Sequence, residues 1–464
     1  MRRAQLSFAI SLVAFVASGC AVGPNYHRPA INTPQAYRGD PAATPTATSF
    51  GDEKWFDVFQ DQQLQTLIHT ALEQNYDVRI AAARVDQARA QLTIAHGNEL
   101  PSAGVIVSGN GTRAAQSKFF GAYDTSSTTI TPAFQWNLDF WGKYRRETES
   151  ARDQLLASDW AQKEVISTLV ANVASAYFTL REQDLEANIS EQTLTSDQDS
   201  LKLTELLSDQ GRTSLLDVRQ AEQLVDSAAG SITNIQKQTS QQENFISILI
   251  GQNPGDVTRG IDLTAEPHEP QVPAGIPSSL LERRPDIREA ESNLAAQNAQ
   301  IGVAKAAYFP AITLTGDGGV QSVALTNLFT GPAGLWSFTG QLTQPLFAGG
   351  TLKGGVRLAK AQQQQALLEY QQTIQQAFRE VSDALVAYSK DQDFRKQQES
   401  LTASAQDASR LSDLRYRGGA ASYLEVLDAN TRLYAAQLGL AQARLNEMLD
   451  YVELYHALGG GWQQ

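Results

Sequence analysis

The stretch DVRIAAARVDQARAQLTIAHGNELP, residues 77–101, has a second version later in the chain, DIREAESNLAAQNAQIGVAKAAYFP, residues 286–310. Both versions begin with Asp and end with Pro over the same spacing, so the second lies 209 positions after the first. Further matches keep an offset of 208: Val173–Ala176 with Val381–Ala384, Ser214–Val218 with Ser422–Val426, and Gly251 with Gly459. A near-constant offset indicates an internal duplication, which has to be recognised before domains are assigned.

Each copy is predicted to contain a helix, a pair of strands, a very long helix, a glycine turn and another helix. The strands are expected at 103–113 and 129–141 and at 311–321 and 334–346, which gives hairpins at 103–141 and 311–346. Apolar residues alternate with polar ones in these segments, as at Trp336, Phe338 and Leu342. This period of two indicates strands with one apolar face and one wet face.

The longest predicted elements cover residues 143–209 and 353–417, and neither contains an internal proline. Apolar residues in the second segment step by four and three positions, as in Ile374, Phe378 and Val381, which is heptad spacing. Each segment is therefore predicted to be one helix about 100 Å long. Frequent Ala, Ser, Thr and Gln at the heptad seams favour close helix packing around a wet interior.

Composition excludes several classes of protein. Charged residues make up 19% and hydrophobic residues 42%, which suits a folded chain rather than a disordered one. The formal charge of −13 argues against nucleic-acid binding, which needs clustered Lys and Arg. The five histidines lack metal-ligand spacing, and no phosphate-binding loop or nucleophile elbow is present. We therefore expect no enzyme, no metal site and no cofactor.

The first residues are typical of an export signal. Arg2 and Arg3 precede an apolar stretch that ends in Ser18-Gly19-Cys20. Cys20 is the only cysteine, so an intramolecular disulfide is excluded. Its setting resembles the lipobox of bacterial lipoproteins, which predicts removal of residues 1–19, a lipid on Cys20 and, with Ala21 next, sorting to the outer membrane. The alternative is an ordinary signal with an incidental cysteine.

After residue 20 no apolar stretch is long enough for a spanning helix, so a chain that crosses a membrane would do so as a closed β-barrel. Four strands cannot close a barrel, but three chains supply 12 strands. The fold class predicted is mainly α, with a trimeric barrel that continues into a coiled-coil tunnel. The alternative is a soluble coiled-coil assembly with hairpin tips. Aromatic residues expected to form girdles at the membrane surfaces argue against it: Trp136, Phe140, Trp141, Trp336 and Phe338.

With these features, the chain resembles the outer-membrane-factor family, which comprises the TolC-like ducts. Within that family it resembles the lipoprotein branch that serves resistance-nodulation-division pumps. The matching residues are Cys20-Ala21-Val22-Gly23-Pro24-Asn25-Tyr26, then Trp55, Phe59, Asp61, Leu64, Leu67, Ile68, Ala71, Leu72, Asn75 and Asp77. The most specific run is Leu281-Glu282-Arg283-Arg284-Pro285-Asp286-Ile287-Arg288. Within this run, Arg284-Pro285-Asp286 is interpreted as a helix entry rather than a charged site.

The resemblance implies the function and the partners. It predicts a homotrimeric exit duct in the outer membrane of a Gram-negative bacterium, with its tunnel in the periplasm. The implied partners are outer-membrane lipid, a periplasmic adaptor protein and an inner-membrane pump of the resistance-nodulation-division type. Two alternatives remain open: the exit duct of a type I protein secretion system, and a porin or structural envelope protein without a pump. The cargo cannot be inferred from the sequence.

The predicted organisation follows the duplication. A signal peptide at 1–19 precedes a lipidated, extended segment at 20–60. The first repeat then covers 61–251, a linker 252–279, the second repeat 280–459 and a tail 460–464.

The two glycine turns are predicted to mark the tip of the tunnel, where the family's adaptor docks and the duct closes. The candidate docking residues are Gly211, Ser214, Leu215, Gly418, Gly419, Ser422, Tyr423 and Leu424. Glycine allows the chain to reverse, and Ser214 and Ser422 are expected to cap the helices that follow.

The candidate gate residues also come from the resemblance. In the family, an Asp at the place of Asp217 pairs with a Tyr at the place of Tyr416, and an Asp at the place of Asp428 lines the constriction. Glu425 occupies the position that matches Asp217 in the second copy. A family arginine in the second turn is replaced here by Ala421, with Arg415 or Arg417 as its possible substitutes. The alternative is that these acids only favour helix N-termini.

Overall fold

The structure is a computed structural model that describes residues 21–39, 48–115, 121–266 and 272–463. The predicted signal at 1–19 and the predicted lipid-attachment residue Cys20 lie outside these described residues.

The described ranges contain nine α-helices and three short 3₁₀ turns. The helices are α1 Trp55–Val58, α2 Gln62–Gln74, α3 Tyr76–Gly97, α4 Lys143–Asp209, α5 Leu215–Leu249, α6 Pro277–Arg283, α7 Pro285–Ala306, α8 Thr351–Arg417 and α9 Tyr423–Ala457. Helices α4 and α8 each have 67 residues, and α5 and α9 each have 35. The two copies therefore contain helix pairs of equal length, as a duplication requires, and α8 begins two residues earlier than predicted. No helix in the part of the chain that the structure describes is long and apolar enough to cross a membrane.

Four antiparallel strands form one sheet in the order β1-β2-β3-β4. The strands are β1 Ser102–Ala114, β2 Tyr123–Leu138, β3 Ala311–Ser322 and β4 Gly334–Thr343. Strand β2 of the first copy pairs with β3 of the second, so the two hairpins join into one sheet whose edges are β1 and β4. Strand β2 begins six residues earlier than predicted, and both β2 and β4 end three residues earlier.

The register of the sheet places apolar and polar residues on opposite faces. Rows of directly opposed residues on one face include Leu138 with Ile312 and Leu342, and Phe134 with Gly316 and Phe338. Rows on the other face include Gln135 with Thr315 and Thr339, and Asn137 with Thr313 and Gln341. The predicted alternation is therefore confirmed. Trp336 and Phe338 remain 82% and 62% exposed, so none of the described residues covers the apolar face at these positions.

Two aromatic residues expected at the end of β2 lie beyond it. Phe140 and Trp141 follow the last strand residue, Leu138. The Trp141 ring stacks on Phe309 with centroids 4.7 Å apart, and its Nε1–H donates to the carbonyl of Pro310 at 2.8 Å. Trp141 therefore anchors the segment between β2 and α4, instead of projecting from a strand as predicted.

The chain divides into two compact units, and each contains segments of both copies. The first comprises Met1–Ala30, Arg84–Asp159 and Glu289–Gln371, and the second comprises Ile31–Ala83, Trp160–Arg288 and Gln372–Gln464. The sheet belongs to the first unit and both glycine turns to the second.

Within the first unit, residues 21–28 are held by the segment before α4 and by α4 and α7. The Val22 N–H donates to the carbonyl of Trp141 at 2.9 Å, and Arg146 donates to the Asn25 amide oxygen at 2.7 Å. Arg28 also donates to Glu291 at 2.7 Å. The chain just after Cys20 is thus fixed close to the end of β2.

Within the second unit, the two copies make equivalent contacts between the residue before α3 or α7 and the last residue of α5 or α9. The Asn75 amide donates to the carbonyl of Leu249 at 2.9 Å, and Arg284 donates to the carbonyl of Ala457 at 3.2 Å, at offsets of 209 and 208. Arg284 is 5% exposed and forms ion pairs with Asp286 and Glu380. Helix α7 begins at Pro285, so the Arg284-Pro285-Asp286 run is a helix entry, as predicted.

Candidate functional site at the glycine turns

The first glycine turn ends α4 with a left-handed residue. Gly211 has a φ of +68°, a conformation that glycine adopts without a steric penalty. The N–H of Arg212 donates to the carbonyl of Leu207 at 2.8 Å, which satisfies one of the free carbonyls at the helix end. The backbone thereby reverses toward α5.

The second glycine turn repeats this geometry at an offset of 208. Gly419 has a φ of +73°, and the N–H of Ala420 donates to the carbonyl of Arg415 at 2.8 Å. Gly418 precedes the left-handed position, and its φ is not in that region. The reversal therefore depends on Gly211 and Gly419, two of the three glycines predicted for the tip.

Ser214 caps α5 through a reciprocal pair of hydrogen bonds. The Ser214 hydroxyl accepts from the N–H of Asp217 at 3.3 Å, and the Asp217 carboxylate accepts from the N–H of Ser214 at 3.0 Å. Asp217 also accepts from the hydroxyls of Thr213 and Ser214. Burial by itself would raise the pKa of Asp217, but these hydrogen bonds outweigh it and hold the pKa below its usual range.

The prediction that Ser422 caps α9 through its side chain is wrong, since Ser422 makes no such hydrogen bond. Glu425, which stands where the first copy has Asp217, approaches Arg415 instead, with 3.5 Å between Oε2 and Nη1. The longer Glu side chain reaches the arginine across the turn rather than its own helix start. Of the two arginines considered, Arg415 thus pairs within this turn, whereas Arg417 pairs with Asp413 at 2.8 Å.

Tyr416 and Tyr423 form a small apolar cluster beside the turns with Ala221 and Val426. Their ring centroids are 5.5 Å apart, and Tyr423 is 3% exposed. Burial, followed by the nearby Asp197, Tyr416 and Asp217, raises the pKa of Tyr423 to about 12. Tyr423 is therefore a core residue within one chain, although it was predicted to lie on the docking surface.

The structure does not join Asp217 and Tyr416 by a hydrogen bond within the chain. The Asp217 carboxylate instead accepts the hydrogen bonds that cap α5. The buried Tyr416 hydroxyl has no hydrogen-bond partner among the described residues. A buried hydroxyl without a partner costs about 1–3 kcal/mol. Tyr416 thus retains an unused donor next to the turns.

Asp428 forms an ion pair that the sequence analysis missed. Its carboxylate lies 2.9 Å from Nε of Arg432, one turn further along α9, and both side chains are mostly exposed. The spacing of four positions between an acid and an arginine is a recognisable signal for such a pair. The negative charge expected at Asp428 is therefore partly compensated by its own helix.

Three leucines at the starts of α5 and α9 are exposed. Leu215, Leu216 and Leu424 are 64%, 65% and 59% exposed. They adjoin the two turns in sequence and give this end of the second unit an apolar surface. Within the described ranges, no group of three or more His, Cys, Asp or Glu residues is arranged to hold a metal.

Comparison with known proteins places this architecture in a family. Residues 67–252 and 276–460 each match the family described as outer membrane efflux protein. The toluene efflux pump outer membrane protein TtgC of Pseudomonas putida is 36% identical over 472 residues, which cover 100% of this chain and 97% of that protein. The cation efflux system protein CusC of Escherichia coli is 34% identical over 454 residues, covering 97% and 98%.

Solved structures agree with the sequence relatives. The open state of the outer membrane channel MtrE of Neisseria gonorrhoeae superimposes with a TM-score of 0.88 at 30% identity. That comparison covers 96% of this chain and 99% of MtrE. Since the family match spans most of the chain and the relatives share its full length, this chain belongs to the outer membrane efflux protein family.

Proposed function

We propose that three copies of this chain form the outer-membrane exit duct of an efflux pump. The observation that carries the proposal is the four-stranded sheet with one apolar face and two unpaired edges, in a chain of this family. An uncovered strand edge pairs readily with a strand of another chain. Three sheets joined edge to edge give 12 strands, with the apolar face toward lipid and the polar face toward the lumen.

The exposed leucines beside the turns support a docking role for this end of the duct. Leu215, Leu216 and Leu424 offer apolar contacts to a periplasmic adaptor protein, which would link the duct to an inner-membrane pump of the resistance-nodulation-division type. A pump is required because a duct wall supplies no energy. The names of the relatives favour this reading over a protein-secretion duct or a porin without a pump.

The experiment is an efflux assay in a strain that lacks the chromosomal copy. Cells without the duct should accumulate a fluorescent pump substrate, and the parent chain should restore efflux. Leu216→Glu should assemble in the outer membrane but fail to restore efflux, because a buried carboxylate disfavours docking. Gln236→Glu, an exposed site further along α5, is the matched control. Equal efflux by both variants would contradict docking at this end.

The relatives of this chain are named for different cargoes. Relatives of nearly equal identity are named for toluene and for cations, so overall similarity of the duct does not follow the cargo. We infer that the pump, rather than this chain, selects what is exported.

We also propose that a lipid on Cys20 anchors the mature chain. The support is the contacts of residues 21–28 in the first unit, which hold the chain that follows Cys20 close to the end of β2. Intact-mass spectrometry of the membrane-extracted protein tests this. Loss of residues 1–19 together with an acylated Cys20 is expected, and a free thiol on Cys20 would contradict it.

Finally, we propose that Asp217, Tyr416, Glu425 and Asp428 close the duct at the turns. The unused Tyr416 hydroxyl supports this proposal, because a partner from a neighbouring chain would relieve its burial cost. Links of this kind are each worth about 0.5–1.5 kcal/mol, so adaptor docking could overcome them.

Conductance of single channels in planar bilayers tests the gate. Asp217→Ala combined with Tyr416→Phe should raise conductance, and Asp428→Ala should weaken block by divalent cations. Arg432→Ala should strengthen that block, because it removes the cation that compensates Asp428. If all three proteins conduct and are blocked like the parent, the gate lies elsewhere.

A further inference from the structure

A polar cavity lies between the helices of the second unit, on the side of the tyrosine cluster away from the turns. One compartment has a volume of about 170 Å³ and a second about 80 Å³. Both are lined by Thr193 and Asp197 of α4 and by Asn430 and Tyr434 of α9. Either volume can hold several water-sized groups.

Asp197 is an isolated carboxylate in this cavity. Asp197 is only 4% exposed, and among the described residues no hydrogen bond or ion pair reaches its carboxylate. Burial raises the pKa of Asp197 to about 6, so the group is mostly ionised at pH 7.5. A buried charge normally requires a partner, and the residues that the structure describes supply none.

The other groups around the cavity present oxygen lone pairs. The Ser190 hydroxyl donates to the carbonyl of Glu186, so the hydroxyl hydrogen of Tyr434 serves the bond to Ser190 at 2.9 Å and its oxygen keeps free lone pairs. The Ser409 hydroxyl donates to the amide oxygen of Asn430 at 2.7 Å, which retains a second lone pair. Among the described residues that line the two compartments, none is Lys, Arg or His.

We propose that the cavity beside Asp197 binds a monovalent metal cation, Na⁺ or K⁺, through the Asp197 carboxylate, neutral oxygens of Asn430 and Tyr434, and water. Hard oxygen donors suit such ions. A single carboxylate balances one positive charge, whereas a divalent ion would leave a net charge in a largely buried site. The ion would link α4 to α9 next to the tyrosine cluster.

The experiment compares the thermal unfolding of the full-length protein in detergent at pH 7.5, in a buffer whose only other cation is a bulky amine. We expect the Tm of the parent to be about 2 °C or more higher in NaCl or KCl than in choline chloride of equal concentration. Asp197→Asn should unfold at one temperature in all three salts. Asp199→Asn removes an exposed carboxylate two residues away and should keep the parent's response.

A second measurement does not depend on a variant that folds. Crystals of the parent grown with a thallium(I) salt should show anomalous density within about 3 Å of the Asp197 carboxylate. Three outcomes would overturn the proposal: no thallium peak in the cavity, a parent Tm equal in choline and in Na⁺ and K⁺, or an Asp197→Asn variant that keeps the parent's response.

Discussion

At the scale of single residues, the two turns show how one neighbouring charge changes a helix start. Asp217 returns to Ser214 and completes a reciprocal cap, whereas Glu425 extends to Arg415, a position that is Leu207 in the first copy. The equivalent serine, Ser422, is left without a side-chain bond to its helix. Two positions that look the same in the sequence thus stabilise their helices by different interactions.

This difference gives a prediction for the two serines. Ser214→Ala should lower the stability of the protein by about 1 kcal/mol, because it removes a cap that satisfies a free N–H of α5. Ser422→Ala should change stability little, since no side-chain bond is lost. The Tm of the detergent-solubilised protein, followed by circular dichroism, measures both. Equal losses for the two variants would show that Ser422 also caps its helix in solution.

At the scale of elements, the sheet exposes apolar side chains, whereas the long helices bury polar ones. The sheet places Phe338 and Trp336 on its uncovered apolar face, and Gly316 of β3 leaves room for the ring of Phe134, since a Cβ at this glycine would collide with it. The helices instead bury polar groups. Glu182 on α4 is 4% exposed, and burial together with the neighbouring Glu186 raises its pKa to about 8.

The sheet gives a prediction about its two faces. Phe338→Lys should disfavour membrane insertion by about 2–4 kcal/mol if the residue lies near the middle of the bilayer, because it places a charge against lipid. Thr339→Lys, the next residue of β4, points to the opposite face and should insert normally. The fraction of each variant recovered in the outer membrane measures this. Normal insertion of Phe338→Lys would place the apolar face elsewhere than against lipid.

The buried glutamate of α4 gives a prediction about pH. The folded-state pKa of Glu182 is raised above the ordinary value of 4.5, so the folded protein holds this proton more tightly than the unfolded chain. Its contribution to stability is therefore present at low pH and is lost as pH rises from about 5 to about 8. Glu182→Gln should match the parent near pH 5 and unfold at a higher temperature at pH 9.

The control for this pH effect is Glu191→Gln, which changes an exposed glutamate of the same helix. Its Tm should follow the parent at both pH values. A constant difference between Glu182→Gln and the parent would indicate a packing effect instead of a titration.

At the scale of the whole molecule, a single chain leaves uncovered several groups that folded proteins normally pair or bury. The sheet ends in the unpaired edges β1 and β4, one face carries exposed aromatic rings, and the Tyr416 hydroxyl is buried without a partner among the described residues. The proposed trimer would cover each of these groups with a neighbouring copy.

The prediction at this scale is the mass of the assembly. Native mass spectrometry of the detergent-solubilised protein should give about three times the mass of the mature chain, since four strands per chain are too few for a barrel. The monomer should be a minor species after mild solubilisation. A monodisperse monomer or dimer would contradict the edge-to-edge assembly of three sheets.

The sequence by itself determined the features that depend on local pattern. The offset of 208 or 209 predicted two similar halves, the alternation around Trp336 and Phe338 predicted the faces of the sheet, and the proline-free stretches predicted α4 and α8. The resemblance predicted the family and its efflux function, both confirmed by the comparisons. These predictions succeeded because repeats, periodicity and spacing depend only on the order of residues along the chain.

Only the tertiary structure decided how individual side chains of the site are used. It placed Tyr423 in the core, whereas Leu215, the matching residue of the first copy, is exposed. It also paired Asp428 with Arg432 and left Asp197 without a partner. A duplicated motif gives each pair of positions the same local geometry, but burial and charge pairing depend on the facing helices. In the two copies those helices carry different side chains, so equivalent residues of the two turns are buried and paired differently.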